Sequence, residues 1–335
     1  MGTLRGWNAS IHCMSFASVF RKLGQWSVTV FAAFLIVSPV AGVVLLENAL
    51  RVVRRPVMER AGFAAEIAKV APSGVEDVSV AGADGAVLKG WYARPQAWNR
   101  DSVLLLHGLG DNREGVEGYA EMFLRGGYAV LLPDSRAHGE SGGALVTYGL
   151  LESGDIRRWA EWLAGRNGTD VQEGCVDLFG ESLGAAIALQ AAGAPGVCAV
   201  VAEAPFASFR EIGFQRIAQA AHVPVAVARV AGWLILASGF LDARLRYGLD
   251  FDKASPERAL AASRVPALLI AGLADENIPH RHAEEILRSA GPPSDLWLVP
   301  GAGHTESSSV APVEFEHRVL GWFRTHRGAA RALGA

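Results

Sequence analysis

The chain has 335 residues, 50% of them apolar and 19% charged, and 31 lysines and arginines against 34 acidic residues leave a formal charge of −3. Disordered chains need low hydrophobicity and high net charge, so this one must fold around a core. It also lacks the basic field that holds a phosphate backbone, which argues against nucleic acid as a partner.

No charged residue occurs from Leu23 to Leu46, and the 21 residues Trp26–Leu46 (WSVTVFAAFLIVSPVAGVVLL) are predominantly apolar. As a helix they would extend roughly 31 Å at ~1.5 Å per residue, which matches the ~30 Å hydrocarbon core of a bilayer. Pro39 and Gly42 are tolerated in such a span, and Trp26 falls where an interfacial aromatic belongs. A cleaved signal peptide fits less well. The stretch exceeds the usual ~7–15 residue apolar region, residues 1–25 precede it as a tail, and no A-x-A site follows. A buried core helix fits less well again, because no polar face recurs at helical spacing.

Arg21 and Lys22 flank one end of the span, and Arg51, Arg54, Arg55 and Arg60 the other. The positive-inside rule therefore leans to a cytoplasmic catalytic part. Residues 47–70 carry mixed charge and read as a juxtamembrane linker or helix, interrupted at Pro56.

From Ala71 onward, strands alternate with helices. Val75–Val80 and Ala86–Ala93 flank Asp84-Gly85, a hairpin turn signal. The runs SVLLLHG, YAVLLPD, CVDLFG, CAVVAEAP, VPALLIAG and DLWLVPG follow, each continuously apolar as in a parallel sheet buried on both faces. Helices are expected at Gly115–Arg125, Glu152–Ala164, Leu183–Ala192, His282–Arg288 and Val313–Arg324. This alternation predicts an α/β three-layer fold. Residues 206–255 break the rhythm. They include Val223–Leu241, whose only charge is Arg229, and read as a lid helix over a pocket rather than a second span, since Arg229 would sit mid-membrane.

The three cysteines, Cys13, Cys175 and Cys198, form an odd count without C-x-x-C. That argues against a disulfide framework or zinc ribbon, and Cys175 and Cys198 are expected as free thiols packed in apolar runs.

Gly180-Glu181-Ser182-Leu183-Gly184 reads G-x-S-x-G between a strand and a helix-forming run. Two glycines permit a sharp strand-to-helix turn that leaves Ser182 exposed and strained, the geometry of a nucleophile elbow. A serine hydroxyl needs a base, and the base an orienting carboxylate. Asp275 (GLADENIP) and His304 (GAGHT) follow in the order serine, acid, histidine, each just beyond the end of a different strand, with Glu276 as the alternative acid. The oxyanion formed during attack needs donors, expected from the backbone N–H of Leu183 and of Leu109. His107 is expected to be structural.

The set HGLG, DSRAHGES (Asp134–Ser141), GESLG, GLADENIP and PGAGHT resembles the α/β-hydrolase superfamily from about Val75 to Arg327. Within it the likeness is to serine-aminopeptidase-like and Bem46-like hydrolases, some of which carry an N-terminal membrane helix, and FDKASPERAL resembles that branch too. The resemblance implies a mostly parallel eight-stranded sheet with a helical lid in a hydrolase domain over 71–330. It also implies that Arg136, His138 and Gly139 form a structural loop outside the triad. The glycine- and alanine-rich tail after Arg327 has no counterpart in the family pattern.

Other constellations carry no such pattern. His280-x-His282 with Glu284 and Glu285 does not share a helix face, and no H-E-x-x-H, phosphate-binding or dinucleotide motif occurs, so no metal or cofactor is implied. The expected chemistry is hydrolysis of a small-molecule or lipid-like ester, or thioester, through acyl-Ser182, with an apolar acyl group. An aminopeptidase would need an acid for the substrate ammonium, with Glu203, Asp242 and Asp252 as candidates. A non-catalytic membrane-bound binding module is the third reading.

Overall fold

The computed structural model of the chain describes residues 16–166, 174–291 and 293–327. Cys13, the first part of the N-terminal tail and the tail beyond Arg327 lie outside the described residues, as do the side chains of Arg21 and Lys22.

The expected span is the middle of a longer helix, α1 (Phe16–Leu50), which continues through Pro39 and ends on the buried Leu46 and Leu50. After it, residues 51–59 run without regular structure to α2 (Arg60–Ile67), whose Phe63 stacks on Trp91 at 5.5 Å. The linker is thus docked on the domain. Arg55 binds Asp111 at 2.6 Å, Arg60 binds Asp77 at 2.9 Å, and Arg54 donates to the carbonyls of Gly139, Ser141 and Gly143.

The expected hairpin is β1 (Glu76–Ala81) and β2 (Val87–Ala93), turning at Gly85 with φ +81°. The remaining strands are β3 (Ser102–Leu106), β4 (Ala129–Pro133), β5 (Val176–Glu181), β6 (Val197–Glu203), β7 (Ala267–Gly272) and β8 (Ser294–Val299). They form one eight-stranded sheet in the order β1-β2-β4-β3-β5-β6-β7-β8, antiparallel at β1–β2 and β2–β4 and parallel elsewhere. Side chains alternate between faces along each strand. Leu104 and Leu106 therefore join one core, with Val103 and Leu105 in the other.

A 3-10 turn at Arg113–Val116 leads into α3 (Glu117–Arg125), which with α2 and α12 (Pro312–Thr325) covers one face. The other face carries α4 (Glu152–Arg166), α5 (Leu183–Ala191), α9 (Pro256–Ser263) and α10 (Arg281–Ala290). A short helix, α11 (Ser307–Val310), precedes α12.

The lid differs from the single helix expected over Val223–Leu241. It comprises α6 (Phe209–Ala221), α7 (Val225–Ala231) and α8 (Trp233–Tyr247), the last two bent by 60° at Gly232. A Cβ at Gly232 would lie 2.6 Å from the Ala228 carbonyl oxygen, so only glycine permits that close turn. Phe209, Phe240, Phe251 and Tyr148 pack ring on ring beneath the lid, with centroids 4.2–5.8 Å apart between nearest neighbours. Arg229 faces Glu211 of α6 in an ion pair at 2.5 Å.

The expectation of two free thiols is corrected. Cys175 and Cys198 form a disulfide across neighbouring strands, with Cα atoms 5.6 Å apart. The pairing is a product of topology: Cys175 immediately precedes β5 and Cys198 lies in β6, and once these strands are adjacent, with a register irregularity between Val176 and Leu178, the two cysteines come within disulfide reach.

Candidate active site

In open α/β sheets, loops at the carboxyl ends of the strands converge where successive connections leave in opposite directions. Here β3 is flanked by β4 and β5, so the loop after β3 and the turn after β5 meet at that point. Ser182 stands on that turn with φ +52° and ψ −115°, a conformation costing an L-residue about 1–3 kcal/mol. The flanking glycines make it attainable. A Cβ at Gly180 would lie 2.4 Å from the Gly184 carbonyl carbon, and one at Gly184 2.1 Å from the Leu106 carbonyl oxygen.

The three residues expected to act together are in contact. His304 Nε2 lies 3.0 Å from Ser182 Oγ, and His304 Nδ1 lies 2.8 Å from Asp275 Oδ2. Asp275 is an acceptor, so the network assigns the imidazole proton to Nδ1 and leaves Nε2 to accept from the serine hydroxyl. The other Asp275 oxygen accepts from the backbone N–H of Asn277 and Ile278, both at 2.8 Å, which fixes the carboxylate plane. Its side chain is shielded from solvent, whereas Glu276 is exposed and offers only its carbonyl, to Gln219. Asp275 is therefore the acid that faces His304.

The amides of Leu109 and Leu183 donate to no other group among the described residues, and both residues line the cavity that contains Ser182. Two buried histidines hold the loop that carries Leu109. His107 Nδ1 donates to the Gly108 carbonyl at 2.8 Å and its Nε2 accepts from Ser135 N–H at 3.0 Å. His138 Nδ1 donates to the Arg136 carbonyl at 2.9 Å and its Nε2 accepts from Gly110 N–H at 3.1 Å. Burial, with His138 alongside, pushes His107 down to about 4, and burial lowers His138 as well. Both are neutral struts, and among the described residues neither is hydrogen-bonded to Ser182.

The loop after β4 is tied down by ion pairs. Arg136 binds Asp155 at 2.8 Å and Asp84 at 3.0 Å. Asp134 accepts from Arg113 and from Glu140 N–H, and a Cβ at Gly139 would overlap its carboxylate. His282 is buried in the core with Nδ1 facing Ala207 N–H, while His280 lies near Glu284 at the surface, so the two are not convergent.

One pair of groups went unrecognised in the sequence. Glu181 and Glu203 end adjacent strands in register, and the Tyr119 hydroxyl lies 3.4 Å and 3.5 Å from their carboxylates. Glu203 accepts from Ser307 N–H at 2.9 Å, just after His304, and its carbonyl accepts from Ser182 N–H at 2.8 Å. Burial, then the Glu203 charge, pushes Glu181 up to about 8; burial raises Glu203 too. The signal was present as an acid at the end of two successive strand runs, in GES and EAP.

A cavity of about 620 Å³ opens onto Ser182 and His304. Its walls are largely apolar and include Leu109, Phe206, Phe209, Leu236 and Phe240, together with Gly42, Leu45, Leu46 and Ala49 of α1.

Residues 103–318 match the model of a family described as the alpha/beta hydrolase family. The uncharacterized protein Rv2307c of Mycobacterium tuberculosis is 33% identical over 248 residues, 73% of this chain and 78% of that protein. The uncharacterized protein YqkD of Bacillus subtilis is 30% identical over 226 residues, 67% of this chain and 70% of its own length. Among solved structures, the Pyrococcus furiosus esterase Pf2001 superposes with a TM-score of 0.62 at 22% identity, over 83% of this chain and 99% of that one.

Proposed function

The chain belongs to the alpha/beta hydrolase family, and from that premise we propose that it is a membrane-anchored serine hydrolase cleaving a carboxylic ester or thioester through acyl-Ser182. The observation that carries the proposal is the continuous contact Ser182–His304–Asp275 on a strained turn facing an apolar cavity. A binding module without turnover has no use for all three groups in this order.

Ser182 Oγ attacks the acyl carbon while His304 Nε2 takes its proton. The carbonyl oxygen becomes an oxyanion, stabilised by the N–H groups of Leu109 and Leu183, the latter at the start of α5. As the tetrahedral intermediate collapses, the C–O bond to the alcohol (C–S in a thioester) breaks and His304 protonates the leaving group. Water then attacks the acyl-serine with His304 as base. The carboxylic acid departs and Ser182 regains its proton.

The cavity supports an apolar acyl group and an ester over a peptide amine. Of the three acids considered for a substrate ammonium, Glu203 faces Ser307 and Tyr119, Asp242 binds Arg246 at 3.1 Å, and Asp252 binds Arg210 at 2.5 Å. None of them lines the cavity. Asp111, which does, is paired with Arg55, and burial, then the Glu203 charge, pushes Glu181 up to about 8, toward its neutral form.

The apolar helix over Gln25–Leu50 is long enough to cross a bilayer, and it supports both the anchor and the serine-aminopeptidase-like, Bem46-like branch. The Cys175–Cys198 bridge favours the oxidising side of that membrane for the catalytic domain. This opposes the orientation suggested by counting flanking charges, but Arg51, Arg54, Arg55 and Arg60 are all held by groups of the protein.

Ser182→Ala should abolish p-nitrophenyl acetate hydrolysis while the melting transition is kept; an unchanged rate refutes the proposal.

A further inference from the structure

The anchor and the catalytic pocket are not separate parts. The last turns of α1 form one wall of the cavity through Gly42, Leu45, Leu46 and Ala49, and they are fastened there. Gly42 of α1 and Gly239 of α8 bring the two backbones together: a Cβ at Gly239 would lie 2.7 Å from the Gly42 carbonyl oxygen, and one at Gly42 would overlap the Ile235 carbonyl. One turn further on, the Tyr247 hydroxyl donates to Glu47 at 2.6 Å and accepts from Arg51 at 3.1 Å. The helix is therefore locked to the lid at its charged end and through its small residues.

The apolar stretch Gln25–Leu50 has 26 residues, so it is ~39 Å long at ~1.5 Å per residue and exceeds a ~30 Å hydrocarbon layer. With Trp26 at the far interface, the near boundary of the acyl chains falls at about Gly42–Leu46, the turns that line the cavity. Glu47 and Arg51 then begin the aqueous side. Between these limits Phe31, Ile36, Val37 and Val40 are 61–70% exposed among the described residues. The lid adds Val230, Trp233, Leu241 and Leu245, 57–83% exposed, on the two helices that meet α1 or continue from it. A soluble surface does not carry so many large exposed apolar groups on the helices whose other residues wall a pocket.

We propose, resting on the serine-hydrolase reading above, that the substrate is an ester lipid of the leaflet adjoining the catalytic domain. It enters sideways from the bilayer, its acyl chain sliding along Gly42, Leu45 and Leu46 of α1 beneath α8. The reacting carbonyl reaches Ser182 from the acyl–headgroup boundary, and the chain never crosses water. Oγ–acyl bond formation and loss of the alcohol proceed as above, so the product fatty acid is left at the same boundary.

The full-length protein is reconstituted in phosphatidylcholine vesicles carrying a fluorogenic long-chain diacylglycerol ester, and p-nitrophenyl acetate is assayed in parallel. Lipid turnover should require substrate in the same vesicle as the protein, falling at least tenfold when the lipid is confined to separate vesicles. Leu45→Trp, which fills the α1 wall, should lower the ratio of lipid to acetate turnover at least tenfold. Equal turnover of lipid from separate vesicles, or a ratio unmoved by Leu45→Trp in a variant of unchanged melting temperature, overturns lateral entry. Wild-type protein that hydrolyses acetate but not the lipid overturns it while leaving the serine-hydrolase reading intact. Absence of both activities defeats that reading and lateral entry with it.

Discussion

Replacing Asp275 by Asn changes one atom of the network, and the surrounding donors dictate the outcome. Oδ1 accepts two backbone N–H groups and Oδ2 accepts His304 Nδ1–H, so the carboxylate meets three donors and no acceptor. An amide presents one oxygen and one NH₂ group. Turning its NH₂ toward Asn277 and Ile278 would leave two inward N–H groups unpaired, at about 1–3 kcal/mol each. The amide oxygen should therefore stay on those two donors, with NH₂ facing His304 Nδ1. The imidazole must then move its proton to Nε2, the atom that has to accept from Ser182. Loss of the correct tautomer in triads of this kind costs about 10⁴-fold in kcat, or about 5.4 kcal/mol of barrier. The assay is kcat for p-nitrophenyl acetate, with thermal melting to establish that the variant is folded. Glu276→Gln, at an exposed site, should change kcat by less than about threefold. A kcat for Asp275→Asn within tenfold of wild type, or a larger loss at Glu276, would refute the assignment.

Glu181 should make activity and stability sensitive to alkali. Its carboxyl, ordinarily at 4.5, is pushed up to about 8 by burial and by Glu203, so the folded state binds the proton more tightly than the unfolded. The associated stability is present below pH 4.5 and is lost as pH rises through about 8. Glu181→Gln should therefore gain in melting temperature over wild type between pH 5 and pH 9. The variant-to-wild-type rate ratio should also rise across pH 8, because an ionised Glu181 opposes the oxyanion. A flat ratio would contradict this. Intact mass before and after reduction should show two thiols released from one bridge; Cys198→Ala should cost about 3 kcal/mol in urea unfolding, from the 23-residue separation. Equal stability with and without reductant would count against that bridge.

What the sequence made legible is local chemistry. Gly180 and Gly184 flank a serine between a strand and a helix, so the elbow is readable within five residues. Asp275 and His304 are separated by 29 positions but each follows an apolar run, and parallel strands bring such positions together. The illegible parts depend on which strands and helices become neighbours. Cys175 and Cys198 look unpaired until β5 and β6 are adjacent, and Glu181 and Glu203 become one pair through the same register. Val223–Leu241 is apolar apart from Arg229 and Ser238, and only the close approach of the Ala228 carbonyl reveals why Gly232 splits it. The same limit explains α1. Its composition shows a helix long and apolar enough to cross a membrane, whereas its place in the wall of the pocket follows from packing against α8, whose position no local pattern encodes.

Covalent trapping would examine the nucleophile itself. The full-length protein is treated with a fluorophosphonate and digested, and the modified peptide is sequenced by mass spectrometry. A single adduct on Ser182, formed in step with loss of ester turnover and absent in Ser182→Ala, is expected. Continued ester hydrolysis with Ser182 unmodified, or an adduct on another residue that tracks inactivation, would contradict it.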